Sequence, residues 1–138
     1  MGCDIHAYRE VKKDDVWVCI EEWDNSFEDE RAYLSDVGIS SNYLLFGLLC
    51  DSVRTTHNIS IKKRGLPADI SEQIQSESDS WDCDGHSHSY TTLDELIKLS
   101  VDVIIHDVNY VSDSLRKLRE SFNEHKDQEC RLVFWFDN

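Results

Sequence analysis

Two stretches of the chain gather side chains that can move protons or hold a metal. They are Cys3-Asp4-Ile5-His6 near the start and Trp81-Asp82-Cys83-Asp84-Gly85-His86-Ser87-His88-Ser89-Tyr90 in the second half. Imidazoles and carboxylates titrate or ligate at physiological pH, so their clustering has chemical content. On an extended strand Asp4 and His6 project from one face about 6–7 Å apart, close enough to converge on one ligand. Alone, an Asp-x-His pair is more often a solvent-facing pair at a sheet edge. The second stretch is harder to explain structurally, because two of the six histidines stand at i and i+2 among serines and aspartates.

Three chemistries fit these residues. Cys3-x-x-His6 with Cys83-x-x-His86 has the spacing of a structural Cys2His2 zinc site, although Cys3 alternates away from His6 if the segment is extended. Asp4, His6, Asp84, His86 and His88 would instead form an open catalytic site for a divalent metal, zinc or manganese. Without metal, His86, His88, Asp4 and His6 can act as general acid and base across a phosphodiester, with Ser87 or Ser89 donating hydrogen bonds. An anion grip is available in Lys62, Lys63 and Arg64 on the turn Arg64-Gly65-Leu66-Pro67, with Arg54 upstream. Such a short basic run is otherwise a solvated turn. Trp81 or Tyr90 could stack a base.

The elements that must position these groups follow from periodicity. Residues 3–11 alternate, with Asp4, His6, Tyr8 and Glu10 on one face, and Asp14-Asp15 turns the chain into Val16-Trp17-Val18-Cys19-Ile20, a predicted hairpin. Residues 24–38 read as an acidic surface excursion. A helix capped near Ser40, Ser41 or Asn42 carries Leu44, Leu45, Leu48 and Leu49, and a short helix is expected over 70–78 behind an Asp69/Glu72 capping box or a Ser71 cap. Residues 79–91 read as a loop. Thr92 and Glu95 form a capping box for a helix over 92–100, and residues 101–112 fit either strand or helix. Leu115, Leu118 and Phe122 mark a last helix, and Arg131 to Phe136 a closing strand buried on both faces and therefore central. The sum is one α+β domain, 1–138, a mainly antiparallel sheet with helices packed on one face.

Composition narrows the function. The 138 residues suit one core, and 40% are apolar. Twenty-eight acidic against 14 basic residues give a net charge of −14, which repels duplex nucleic acid and anionic membranes. Only residues 41–70 carry a basic excess. No apolar run is long enough to span a bilayer and no export pattern opens the chain, so a cytoplasmic protein is expected. Met1-Gly2 is followed by His6 rather than Ser or Thr, which argues against myristoylation. Five irregularly spaced cysteines read as reduced thiols.

Several blocks together carry a resemblance: Met-Gly-Cys-Asp-Ile-His at the start, Asn42-Tyr43-Leu44-Leu45-Phe46 with Arg54, Arg64-Gly65-Leu66-Pro67-Ala68-Asp69-Ile70-Ser71, Asp84-Gly85-His86-Ser87-His88-Ser89-Tyr90 and Phe134-Trp135-Phe136-Asp137-Asn138. The chain resembles a family of small phage-encoded proteins, mostly hypothetical. The resemblance implies a phage origin and the infected host's cytoplasm. Small phage accessory proteins often counter host defence, some by cleaving or sequestering nucleotide second messengers.

The leading expectation is therefore a phage accessory protein whose Asp4, His6, His86 and His88 process a nucleotide phosphodiester held by Arg64 and Lys62, with or without a metal. Two rivals are a protein that sequesters the nucleotide without turnover and an acidic inhibitor of a host protein. A homo-oligomer is left open. All of this requires the start of the first strand to meet the His86/His88 segment in space.

Overall fold

The computed structural model describes residues 2–24, 33–53 and 57–138. β1 (Asp4–Lys13) and β2 (Val16–Cys19) form the expected hairpin, closed by the Lys13–Val16 pair. Both turn residues, Asp14 and Asp15, have positive φ (51° and 65°). That backbone matches the right-handed twist of paired strands, but aspartate adopts it less readily than Asn-Gly. Asp14→Asn with Asp15→Gly should therefore raise stability by about 0.5–1 kcal/mol and the melting temperature by a few degrees. Thermal unfolding checks this, and a lower melting temperature would contradict it.

A two-stranded ladder, β3 (Trp23–Asp24) with β4 (Tyr33–Leu34), brackets part of the acidic excursion, of which residues 25–32 lie outside the described residues. β5 (His86–Thr92) and β6 (Cys130–Asp137) complete a four-stranded antiparallel sheet in the order β2-β1-β6-β5. As its two-sided apolar pattern requires, β6 is central.

The helices are α1 (Tyr43–Leu49), α2 (Glu72–Trp81), α3 (Leu93–Ile105) and α4 (Ser112–Glu120). Asn42 caps α1, its Oδ1 accepting from Leu45 N at 3.1 Å, and the Thr92/Glu95 capping box opens α3. One face of the sheet, with Ile5, Ala7, Val11, Leu132, Phe134 and Phe136, packs against Phe46, Leu96, Leu115 and Phe122. Helices α1, α3 and α4 thus share that face, as expected. The fourth, α2, lies across the other one, where Ile74 meets Tyr8, Val133 and Trp135. With one buried apolar side chain, its sequence gave little warning of a second covered face.

A buried ionic network holds the start of α2. The Glu10 carboxylate accepts from Arg131 Nε at 2.6 Å and from Ser71 N at 2.7 Å, and Arg131 also donates to Asp69. Ser71, not Asp69, is the N-cap. The end of α2 carries Trp81 to the far end of the same face, where the chain makes a 3-10 turn over Asp82–Asp84 and enters β5. The segment 79–91, read above as a loop, is therefore mostly regular structure. Its strand was masked by polar residues on an edge whose alternation is interrupted.

Candidate functional site

Strand pairing brings the two chemical stretches together. Asp4 pairs with Asp137, His6 with Trp135 and His86 with Phe136, so the start of β1 and the start of β5 flank the end of β6. Among the sequence-predicted residues, Asp4, His6, His86 and His88 lie at one end of the sheet, His6 and His88 against Trp135 and His86 against Phe136 on the other face.

His6 faces the α2 side. Its Nε2–H donates to Asp137 Oδ2, and its Nδ1 lies 4.0 Å from Asp36 Oδ2. The ring lies tilted by 33° against Trp81 with centroids 4.1 Å apart, and its side chain is 16% exposed. A carboxylate on one ring nitrogen fixes tautomer and orientation, as in general acid–base dyads. Asp4 is exposed and accepts from Ser41 Oγ at 3.1 Å rather than touching His6.

The two later histidines separate. Between His86 and Ser89 the register slips, so two residues of β5 face one of β6, and Ser87 takes φ 56°. This bulge undoes the i, i+2 alternation. His86 stays beside Phe136, 6.3 Å between centroids, while His88 stacks on Trp135 at 5.9 Å on the opposite face. His86 Nε2 pairs with Asn138 Oδ1 at 3.2 Å and its Nδ1 with Ser87 Oγ at 3.0 Å. Ser52 Oγ reaches Ser87 Oγ at 3.4 Å, which extends the hydroxyl chain.

Burial, and secondarily His86, hold the proton affinity of His88 below that of an ordinary histidine. The folded state then binds fewer protons than the unfolded chain as pH falls below about 6.5. Stability rises with pH across that window and is lost as pH drops towards the folded value. NMR titration should place the His88 midpoint below about 6.5, and His88→Gln should flatten the acid-side loss in urea melts. A midpoint at or above that value would contradict the buried placement.

The anion grip sits elsewhere. Arg64 donates to Tyr90 O at 3.2 Å and to both carboxylate oxygens of Glu95, and its guanidinium lies 5.3 Å from the Tyr90 ring centre. Tyr90 pairs with Val133, so this cluster is displaced along β5 from His86. Arg64 in turn pushes the Glu95 carboxyl down to about 2. Ser89 is fully buried and accepts from Arg64 N at 3.0 Å, a structural role. Lys62 lines a cleft of about 280 Å³ with Arg64, Glu95 and Lys98, apart from the histidines. Arg54 lies outside the described residues. Asp84 is exposed on the 3-10 turn, and Cys3 is buried while Cys83 is exposed. Among the described residues no three His, Cys, Asp or Glu side chains are grouped to hold a metal, so neither proposed ligand set is assembled.

Sequence reasoning missed Asp137, Asn138, Asp36 and Ser52. Asp137 and Asn138 were visible only as the tail of a closing strand; the signal that could have found them was polar residues ending a wholly apolar run, opposite a strand that begins with Asp4. No helix among the described residues is long and apolar enough to cross a membrane. Compared with protein-family models, with curated proteins and with solved structures, the chain finds no match.

Proposed function

We propose that the β1/β5/β6 sheet end binds and processes a nucleotide phosphodiester, and that the protein does so as a phage accessory protein in the host cytoplasm. The observation that carries this reading is that His6 and His88 lie on the same face of the sheet, both against Trp135, with Asp137 orienting His6. Two imidazoles on one face of a sheet end are suited to paired proton transfer. In this reading His88 takes the proton of an attacking water or ribose hydroxyl, a new P–O bond forms as the leaving P–O bond breaks, and His6 protonates the departing oxygen. His86, bonded to Ser87, lies on the other face and has no part in this step. Trp81, in contact with His6, offers a face for the base. Arg64 has no part, since Glu95 neutralises it.

Incubating the protein with cyclic mononucleotides, cyclic dinucleotides and short linear oligonucleotides, with and without zinc or manganese, and following product mass tests the reading. A mass shift is expected that falls at least ~100-fold in His6→Ala and in His88→Ala. Unchanged ligand recovered from a stable complex supports sequestration instead. Neither binding nor turnover across the panel ends both readings.

A further inference from the structure

The outward face of α3 is apolar where a surface helix is ordinarily polar. Leu96, Leu99 and Val103 are buried in the core, yet Ile97, Val101, Ile104 and Ile105 are 45–69% exposed, and Tyr110, just beyond the helix, is 75% exposed. The four α3 residues fall at i, i+4, i+7 and i+8, so they form a continuous second stripe opposite the first. This doubling is why residues 101–105 fit no single amphipathic pattern in the sequence.

We propose that this stripe is the interface of a homodimer in which α3 of one chain packs antiparallel on α3 of a second copy, about a two-fold axis near Val101. Three observations select that occupant. The first is charge. Lys98 and Asp102 lie on the same flank of the stripe, and a two-fold places equivalent flanks together in opposite directions. Lys98 of each chain then comes opposite Asp102 of the other, giving two interchain pairs, while Ile97 meets Ile105 and Val101 meets itself. The second is area. The four exposed α3 side chains present on the order of 400 Å² per chain, so two copies bury roughly 800 Å² from the stripe alone, the size of a weak, reversible interface. The third is composition. The stripe is bordered by two aspartates, Asp94 and Asp102, against the single Lys98 on a chain of net charge −14, unlike the basic flanks with which helices bind anionic membranes.

Sedimentation equilibrium on the full chain tests this. A monomer–dimer equilibrium in the micromolar range is expected, weakened about 100-fold by Ile104→Asp and at least ~10-fold by Lys98→Asp or Asp102→Lys alone. The Lys98→Asp/Asp102→Lys double variant should recover affinity to within about 3-fold of the native chain, because the reversed pairs match again. Since each chain is strongly acidic, raising salt from about 20 to 200 mM should tighten the dimer. Circular dichroism shows whether each exposed-site variant folds, with Ile105→Asp as the second probe if Ile104→Asp does not. A chain monomeric at about 300 µM, a dimer indifferent to both stripe variants, a double variant no better than the singles, or a monomer that instead binds anionic vesicles each overturns the proposal.

Discussion

Replacing Arg131 by methionine is expected to cost about 3–5 kcal/mol and to lower the melting temperature by about 10–20 °C. The reason is the environment of its partner. Glu10 is fully buried, and its carboxylate is satisfied by Arg131 Nε and the Ser71 amide at the start of α2. The Ser71 amide suits an anion, because a helix N-terminus presents unpaired N–H groups and positive potential. One amide does not replace a guanidinium, so the variant leaves a buried charge half-compensated. Arg131 also packs 4.0 Å from the Trp17 ring centre and holds the Asp69 carboxyl below the usual range, contacts that methionine only partly retains. Glu10→Gln should cost less, since the amide can still accept and leaves Arg131 its bond to Asp69. A Glu10→Leu/Arg131→Met pair should lie well above Arg131→Met alone, because it removes both charges at once. Urea unfolding of the four proteins in a double-mutant cycle measures this coupling. A cost below about 1 kcal/mol for Arg131→Met would mean that water reaches Glu10.

The network also bears on the candidate site, because α2 is pinned at one end by Glu10 and delivers Trp81 to His6 at the other. Loosening the start of α2 should disturb the His6–Trp81 contact without touching either residue.

How far the sequence predicted this arrangement differs by element, for identifiable reasons. The first hairpin, the centrality of β6 and the α3 capping box were all legible, because each rests on local alternation or on a side chain bonding its own helix start. The convergence of β1 and β5 on one sheet end was a requirement of the site rather than a reading of it, because 79–91 reads as a loop and β5 was hidden. The division of His86 from His88 was not legible. It depends on one serine adopting a left-handed backbone, and serine carries no such signature. Arg64 misled for a related reason: sequence shows a guanidinium but not that Glu95, a helix turn away in space, is already aimed at it. Asp137 and Asn138 had no spacing to either histidine that a motif could register.

Trp135 ties the site to the core, and truncating it should be as damaging as any single change in the sheet. The residue is fully buried, with ring centroids 5.1 Å from Tyr8, 5.9 Å from His88 and 6.4 Å from His6. It therefore forms the wall between the histidine of β1 and that of β5. A Cβ added to Gly85 would lie 3.3 Å from Trp135 Cδ1 and 3.3 Å from Trp81 Cβ, so the indole is in tight contact along that edge too. Trp135→Ala removes this whole surface and should cost about 3–5 kcal/mol. Trp135→Phe is more informative. Nε1 has no hydrogen-bond partner among the described residues, so the change forfeits packing but no polar bond, and about 1–2 kcal/mol is expected. The fold then survives while water gains access to His88, whose depressed proton affinity stems first from burial. Its NMR midpoint should accordingly rise towards about 6.5 in Trp135→Phe, in step with weaker binding or turnover of any nucleotide the native protein accepts. An unmoved midpoint in a destabilised but folded Trp135→Phe would show that α2, not the indole, shields that histidine, and would shift the wall of the site from β6 to Trp81 and its helix.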